Sequence, residues 1–264
     1  MIDLQAKTNA IMKKKEALGA MISTGSFGDF IEGIFRLAEE KKSSYVCFAN
    51  VHMLIEAHKD RQFGEILNNA DIVAPDGRPV SIFLNLFHKT KQERVPGMDL
   101  MPALLREAAK RNTPVYFYGS TPKILDLIAQ RARKELPALK IAGMRSPPFR
   151  ELSEEEREEI VRNINLSGAR LVFVALGCPK QEKWMAKHRG KINACMLGVG
   201  QAYNVYAGVE KRLPPWMRNL SLEWLYRLYL EPRRLWKRYL ISNTLFLWLT
   251  FKHALKTAFG QGKG

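Results

Sequence analysis

The chain has 264 residues, 46% of them hydrophobic, and a formal charge of +16 with a pI near 9.8. That length buries a proper core and sits at the upper end for one domain, so one large domain with an appendage is expected. The charge calls for a phosphate-bearing partner: nucleic acid, an anionic membrane face or a phosphorylated substrate. Three cysteines, Cys47, Cys178 and Cys195, lie in or beside apolar runs without CxxC spacing. They read as reduced, mostly buried thiols of a cytoplasmic protein rather than a disulfide framework.

The opening "MIDLQAKTNAIMKKKEALGAM" is basic and lacks a long apolar stretch, so no signal peptide is expected. Six apolar runs follow: "SYVCFAN", "DIVAPDG", "PVYFYGS", "KIAGMR", "RLVFVALG" and "ACMLGVG". Each is continuously apolar rather than alternating, as parallel strands covered on both faces must be. Helical patterns separate them, including 99–112, 121–135 and 153–167, where Ser153 and Glu156 make a capping box. This succession predicts an α/β fold, a Rossmann-like, mostly parallel sheet flanked by helices, with the core over 1–208.

The remaining 209–264 form a basic, amphipathic helical appendage. It holds eleven Lys and Arg against three acids, which is eight of the sixteen net positive charges in about a fifth of the chain. Two helices are expected, broken near Pro232, with apolar residues along one side and arginines on the other. Residues 239–251 are its longest apolar stretch; thirteen residues cannot cross a hydrocarbon core that needs about 20, though they can lie in the interface.

In an open parallel sheet, ligands gather at the carboxyl ends of strands, where helix N-termini offer free N–H groups to anions. Five such ends here carry polar or turn residues. They are Asn50 leading to His52; Asp76; Gly119 and Ser120; Gly177, Pro179, Lys180, Gln181 and Glu182; and Gly198 and Gly200 ahead of Gln201 and Tyr203. Each has an ordinary reading as well. Pro-Asp-Gly is a turn signal, His52 suits a helix start or a core, and residues 180–182 suit a solvated first turn. Convergence on one sheet edge favours a site. No Asp-x-Asp, His-x-x-x-His or paired Cys occurs, so no metal site and no cofactor are expected, and cations must neutralise any leaving phosphate.

Taken in order and spacing, "NADIVAPDGRPV", "RVPGMDLMPALL", "VYFYGS", "VALGCPKQEKWM", "LGVGQAYNVYAG", "KRLPPW" and "LEWLYRLYLEPRRLWKRYL" resemble the WecG/TagA/CpsF glycosyltransferases, glycosyltransferase family 26. The likeness spans roughly residues 30–245. It implies metal-independent, inverting transfer from a UDP-sugar to a sugar on a polyprenyl diphosphate, at the cytoplasmic membrane face, in cell-surface polysaccharide synthesis. Peripheral attachment to the anionic inner membrane is implied, nucleic acid is not, and a homo-oligomer stays open. Residue by residue, the general base falls on Asp76, a pocket motif on Arg94, Gly97 and Asp99, and the strand-end loops on the glycines, Pro179, Lys180 and Gln181. Arg227 and Arg234, with Lys237 where an arginine is common, fall near a diphosphate. Phe48 stands where N-acetylmannosamine-transferring members have Thr, and Asn204 where Asp is frequent. The Phe48 change points to a hexose donor such as UDP-glucose. Two other classes compete. A nucleic-acid-binding module lacks any RNP, KH or helix-turn-helix pattern, and a nicotinamide oxidoreductase lacks GxGxxG after the first strand.

Overall fold

The basic N-terminal segment forms a hairpin that the apolar runs did not announce. In the computed structural model, which describes residues 11–211, 213, 214, 217 and 223–260, β1 (Lys13–Ala17) and β2 (Ala20–Thr24) pair antiparallel. Leu18 and Gly19 join them with φ of 52° and 89°, the left-handed pair that a two-residue hairpin turn requires. Ala17, Ala20 and Ile22 are buried while Lys13 and Lys15 are exposed. The buried Ser23 hydroxyl accepts the Val73 N–H at 3.0 Å, so the hairpin covers an edge that would otherwise expose unpaired backbone.

That edge belongs to the main sheet. β3 (Ser44–Ala49), β4 (Ile72–Pro75), β5 (Val115–Gly119), β6 (Ile141–Arg145), β7 (Leu171–Ala175) and β8 (Cys195–Gly198) are the six apolar runs, all parallel, in the order β4-β3-β8-β7-β5-β6. β3, β4, β5 and β8 are buried along their whole length, while β6, at the far edge, is half-buried throughout. Cys47 and Cys195 are accordingly buried free thiols, and Cys178 is half-buried.

Helices cover both faces because strand side chains alternate. Tyr45, Cys47, Val172, Val174 and Met196 pack towards α2 (Val51–Lys59), α3 (Arg61–Asn68), α4 (Arg78–His88), α7 (Glu154–Leu166) and α8 (Lys180–His188). Val46, Phe48, Leu171, Phe173 and Leu197 pack towards α1 (Phe27–Glu39), α5 (Gly97–Lys110), α6 (Pro122–Glu135) and α9 (Ala202–Tyr206). The Ser153–Glu156 capping box forms as expected, and a second one, Ser26 with Asp29, starts α1. β3 leads outward to β4 at one edge and β5 outward to β6 at the other, so β8 and β7 fill the point where strand order reverses. The carboxyl ends there mark the usual ligand position of such a sheet.

The chain closes with α10 (Glu223–Leu230) and α11 (Pro232–Gly260), the break falling at Glu231–Pro232. Proline there takes the first helical position, where its missing N–H costs nothing. α11 packs on α2 and α4: Leu235, Phe246 and Leu249 are buried, and the His253 ring lies 5.2 Å from Phe83 and 4.6 Å from Phe87. Its other side still exposes Leu240, Ile241, Leu247, Trp248, Phe251 and Phe259. The expectation of one apolar and one cationic side is therefore corrected: α11 has two apolar sides, one on the core and one facing outward, because its aliphatic and aromatic residues outnumber what one stripe holds. No helix among the described residues is long and apolar enough to cross a membrane.

Candidate active site

Asp76 follows the last residue of β4, and its N–H donates to the Ala49 carbonyl at 2.9 Å, extending the ladder with β3 by one residue. Gly77, with φ of 127°, then turns the chain directly into α4. Pro-Asp-Gly is thus a strand-to-helix junction and not a hairpin turn, and the half-buried Asp76 stands at the carboxyl edge of the sheet. Asn50 is its neighbour: a Cβ on Gly77 would lie 3.9 Å from Asn50 Cβ. The Asn50 side chain caps α2 by accepting the Met53 N–H at 3.1 Å.

The segment after α4 returns to the same place. Val95 N–H donates to the Pro75 carbonyl at 2.8 Å, so Arg94 and Asp76 each flank one end of a single backbone bond. Arg94 Nη2 lies 4.0 Å from Asp99 Oδ2, with both side chains largely sheltered. Gly97 opens α5 against the Phe48 ring; a Cβ there would sit 3.4 Å from Phe48 Cγ. Phe48 is 4% exposed and belongs to the core beneath α5. It does not wall an open crevice, which removes the ground on which it was read as a donor-sugar determinant.

At the β5 end, a Cβ on Gly119 would lie 2.4 Å from the Ala175 carbonyl oxygen, so only glycine fits. Ser120 follows with φ of 61°, its N–H bonded to that oxygen at 3.0 Å and its carbonyl accepting the Ser146 hydroxyl at 2.7 Å. Gly177, with φ of 79°, leads through a cis Cys178–Pro179 bond into α8, whose exposed first residue is Lys180. Gln181 and Glu182 turn inward instead, at 5% and 0% exposure. Gln181 Nε2 donates to the Gly198 carbonyl at 2.6 Å and to Glu182 Oε1 at 2.8 Å. The glycines of the last strand end leave room for neighbouring side chains: a Cβ on Gly198 would meet Met185 Cε at 2.8 Å and Gln181 Nε2 at 3.1 Å, and one on Gly200 would meet Gln181 Oε1 at 3.2 Å. Burial pushes the Glu182 carboxyl up to about 7 against the opposing hydrogen bond from Gln181.

Three of the expected contact residues, Gln181, Glu182 and Tyr203, therefore lie under the rim rather than on it. Glu182 is enclosed, and Tyr203 is 1% exposed with its hydroxyl donating to the Phe173 carbonyl at 2.7 Å. Gln201 stays at the surface, where Glu210 accepts from Gln201 Nε2 at 2.6 Å and from Asn204 Nδ2 at 2.7 Å. Glu210, a lone acid beside Lys211 and Arg212 at the head of a basic segment, is a contact the strand-end pattern does not point to.

A cavity of about 320 Å³ joins this group to the C-terminal helices, lined by Met98, Gln201, Glu210, Tyr226, Leu230 and Glu231 among others. Through Met98 and Val205 it adjoins a second, of about 560 Å³, that reaches Asp99, Arg106 and Arg131. Asp76 lies outside both. Lys237 is exposed, its Nζ 5.5 Å above the Trp236 ring, while the side chains of Arg227 and Arg234 fall outside the described residues.

A family model described as the glycosyl transferase WecG/TagA/CpsF family matches residues 15–259. The chain belongs to this family. Among curated proteins it is similar to the N-acetylglucosaminyldiphosphoundecaprenol N-acetyl-β-D-mannosaminyltransferase of Bacillus subtilis strain 168, 32% identical over 216 residues and 81% of each chain. The protein of the same name from Bacillus spizizenii is 30% identical over 221 residues, 83% of each chain. Family membership gives the chain a class of chemistry, glycosyl transfer.

Proposed function

We propose that the protein moves a hexose or N-acetylhexosamine from a UDP-sugar to a sugar carried on a polyprenyl diphosphate, with inversion and without a metal. Asp76 carries the reading: this carboxylate sits at the carboxyl edge of the sheet, at a strand-to-helix junction one backbone bond from Arg94, which supports a role for it as the base. In this scheme Asp76 accepts the proton of the acceptor hydroxyl as that oxygen bonds to the anomeric carbon. The bond to the UDP oxygen breaks on the opposite face, giving a β-linkage from an α-linked donor. One positioned base suffices for such a displacement, whereas a glycosyl-enzyme route needs two close carboxylates. The relatives' printed names make N-acetylglucosaminyl diphosphoundecaprenol the first acceptor to test and N-acetylmannosamine the first donor sugar.

The diphosphates are assigned to Arg227, Arg234 and Lys237, guanidinium groups being suited to paired phosphate oxygens. Among the described residues no three His, Cys, Asp or Glu gather into a ligand set. The outward apolar side of α11, where Lys252 Nζ lies 5.1 Å over Trp248, supports peripheral attachment at the cytoplasmic membrane face. The test is transfer from a panel of UDP-sugars to the lipid-linked acceptor by wild-type protein and Asp76→Asn. Product from the wild type and almost none from a folded Asp76→Asn supports the reading, and near-equal rates refute it.

A further inference from the structure

The pair beneath the rim poses a hydrogen-bonding problem. Gln181 Nε2 and Glu182 Oε1 are joined, but the other arm of each side chain, Gln181 Oε1 and Glu182 Oε2, is buried without a hydrogen-bond partner. Both are acceptors if the carboxyl is ionised, and two orphaned acceptors at 5% and 0% exposure are costly. One proton on Glu182 turns that defect into a ring, because a carboxylic acid and a carboxamide are complementary at both arms. The first turn of α8 favours an anion, yet burial outweighs it and raises the carboxyl to about 7.

We propose that Glu182 works as a neutral acid, its O–H donating to Gln181 Oε1 while its Oε1 accepts from Gln181 Nε2, and that this closed pair positions the end of β8. Gln181 then holds the Gly198 carbonyl and underlies Gly200, fixing the loop that carries Gln201 to the cavity shared with Met98 and Glu210. Glu182 is a positioning residue: it touches no open surface and acts through Gln181 and the loop. Loss of its proton breaks the O–H···Oε1 bond, leaves a buried anion and sets two acceptor oxygens against each other, while Gln181 Nε2 keeps its bonds to Glu182 Oε1 and the Gly198 carbonyl. The titratable groups facing it are thiols: Cys178 from the turn before α8, whose hydrogen bond favours the ionised carboxyl but less than burial disfavours it, and Cys47 from β3. Lys14 and Asp71 act further off, on Cys47, whose thiol burial holds far above its ordinary value. The proposal rests on the reading that a UDP-sugar binds at this strand end.

The experiment pairs infrared difference spectroscopy with UDP titration calorimetry between pH 6 and 9, on the full chain. The wild type should show the carbonyl stretch of a protonated carboxylic acid at pH 6, lost as pH rises and absent from Glu182→Gln. Its UDP affinity should fall about tenfold per pH unit once the carboxyl ionises. Glu182→Gln, whose amide rebuilds the ring, should bind as the wild type does at pH 6 and hold that affinity to pH 9. Glu182→Ala should lose about tenfold or more at every pH. The proposal is overturned by a wild type without the acid band, or by a Glu182→Gln variant whose affinity falls with pH as the wild type's does. The infrared arm stands even if UDP does not bind, a result that would count against the donor site alone.

Discussion

The sheet rim and the C-terminal helices meet at one cavity but are held by different forces. At the rim, backbone bonds from Asp76, Val95 and Ser120 and the glycine contacts of residues 119, 198 and 200 leave little freedom, so polar groups sit in set places. α10 and α11 attach through a few buried apolar contacts, Leu235, Phe246 and Leu249, and keep more apolar surface outside than in. Under the proposed function, one region serves chemistry and the other attachment. The clearest way to break that division is to change each side without disturbing the other.

The largest effect is expected at the rim. Asp76→Asn keeps the Ala49 backbone bond and the side chain's shape while removing the base, so turnover should fall about 10²–10⁴-fold, far more than any change in melting temperature accounts for. An equal loss of melting temperature and activity would show the carboxylate to be structural.

Phe246→Ala comes next and tests the inner side of α11. Its ring is 6.5 Å from Phe83 and 6% exposed, so truncation should lower stability by about 3 kcal/mol, read from urea unfolding. The same contacts correct a simpler picture in which residues 209–264 could be removed from an unaffected core: deletion would strip cover from α2 and α4. A smaller change separates the roles. Leu247→Glu with Trp248→Glu and Phe251→Glu alters only outward side chains and should cut liposome binding about 100-fold by removing apolar burial in lipid. Melting temperature should hold. A triple variant that still floats with anionic liposomes would assign the outward side to another partner, a second copy of the chain included.

This division explains which features could be read from residues alone. The six strands were legible because burial on both faces demands continuous apolar runs, and the Ser153 cap and the Pro232 break because each has a local cause. The hairpin was not, since only Ala17, Ala20 and Ile22 of its residues speak for a core and the turn depends on Leu18 taking a positive φ. The position of Asp76 at the carboxyl edge of the sheet was legible from the strand it ends, a local property, whereas Arg94 stands out only through the family resemblance. Glu182 and Tyr203 were misplaced because a polar side chain near a glycine looks the same whether it reaches up to a ligand or down into the core. The two sides of α11 were merged because which apolar residues meet α2 is decided by tertiary packing.

The smallest effect probes the seam between the regions. Glu210 accepts from both Gln201 and Asn204, and Tyr226 and Leu230 of α10 line the same cavity. Glu210→Gln keeps the shape but replaces one acceptor oxygen with a donor, so one of the two amides must turn or lose its bond. An uncharged hydrogen bond is worth about 1 kcal/mol and one to a charged group up to about 3. Both bonds are only half-buried, so the lower figure applies. KM for the donor should rise about fivefold, with kcat and liposome binding unchanged. A fall in kcat instead would mean that Glu210 acts on the reacting groups. A fall in liposome binding would mean that the seam transmits the state of α10 to the membrane-facing side, and the two regions would then work as one.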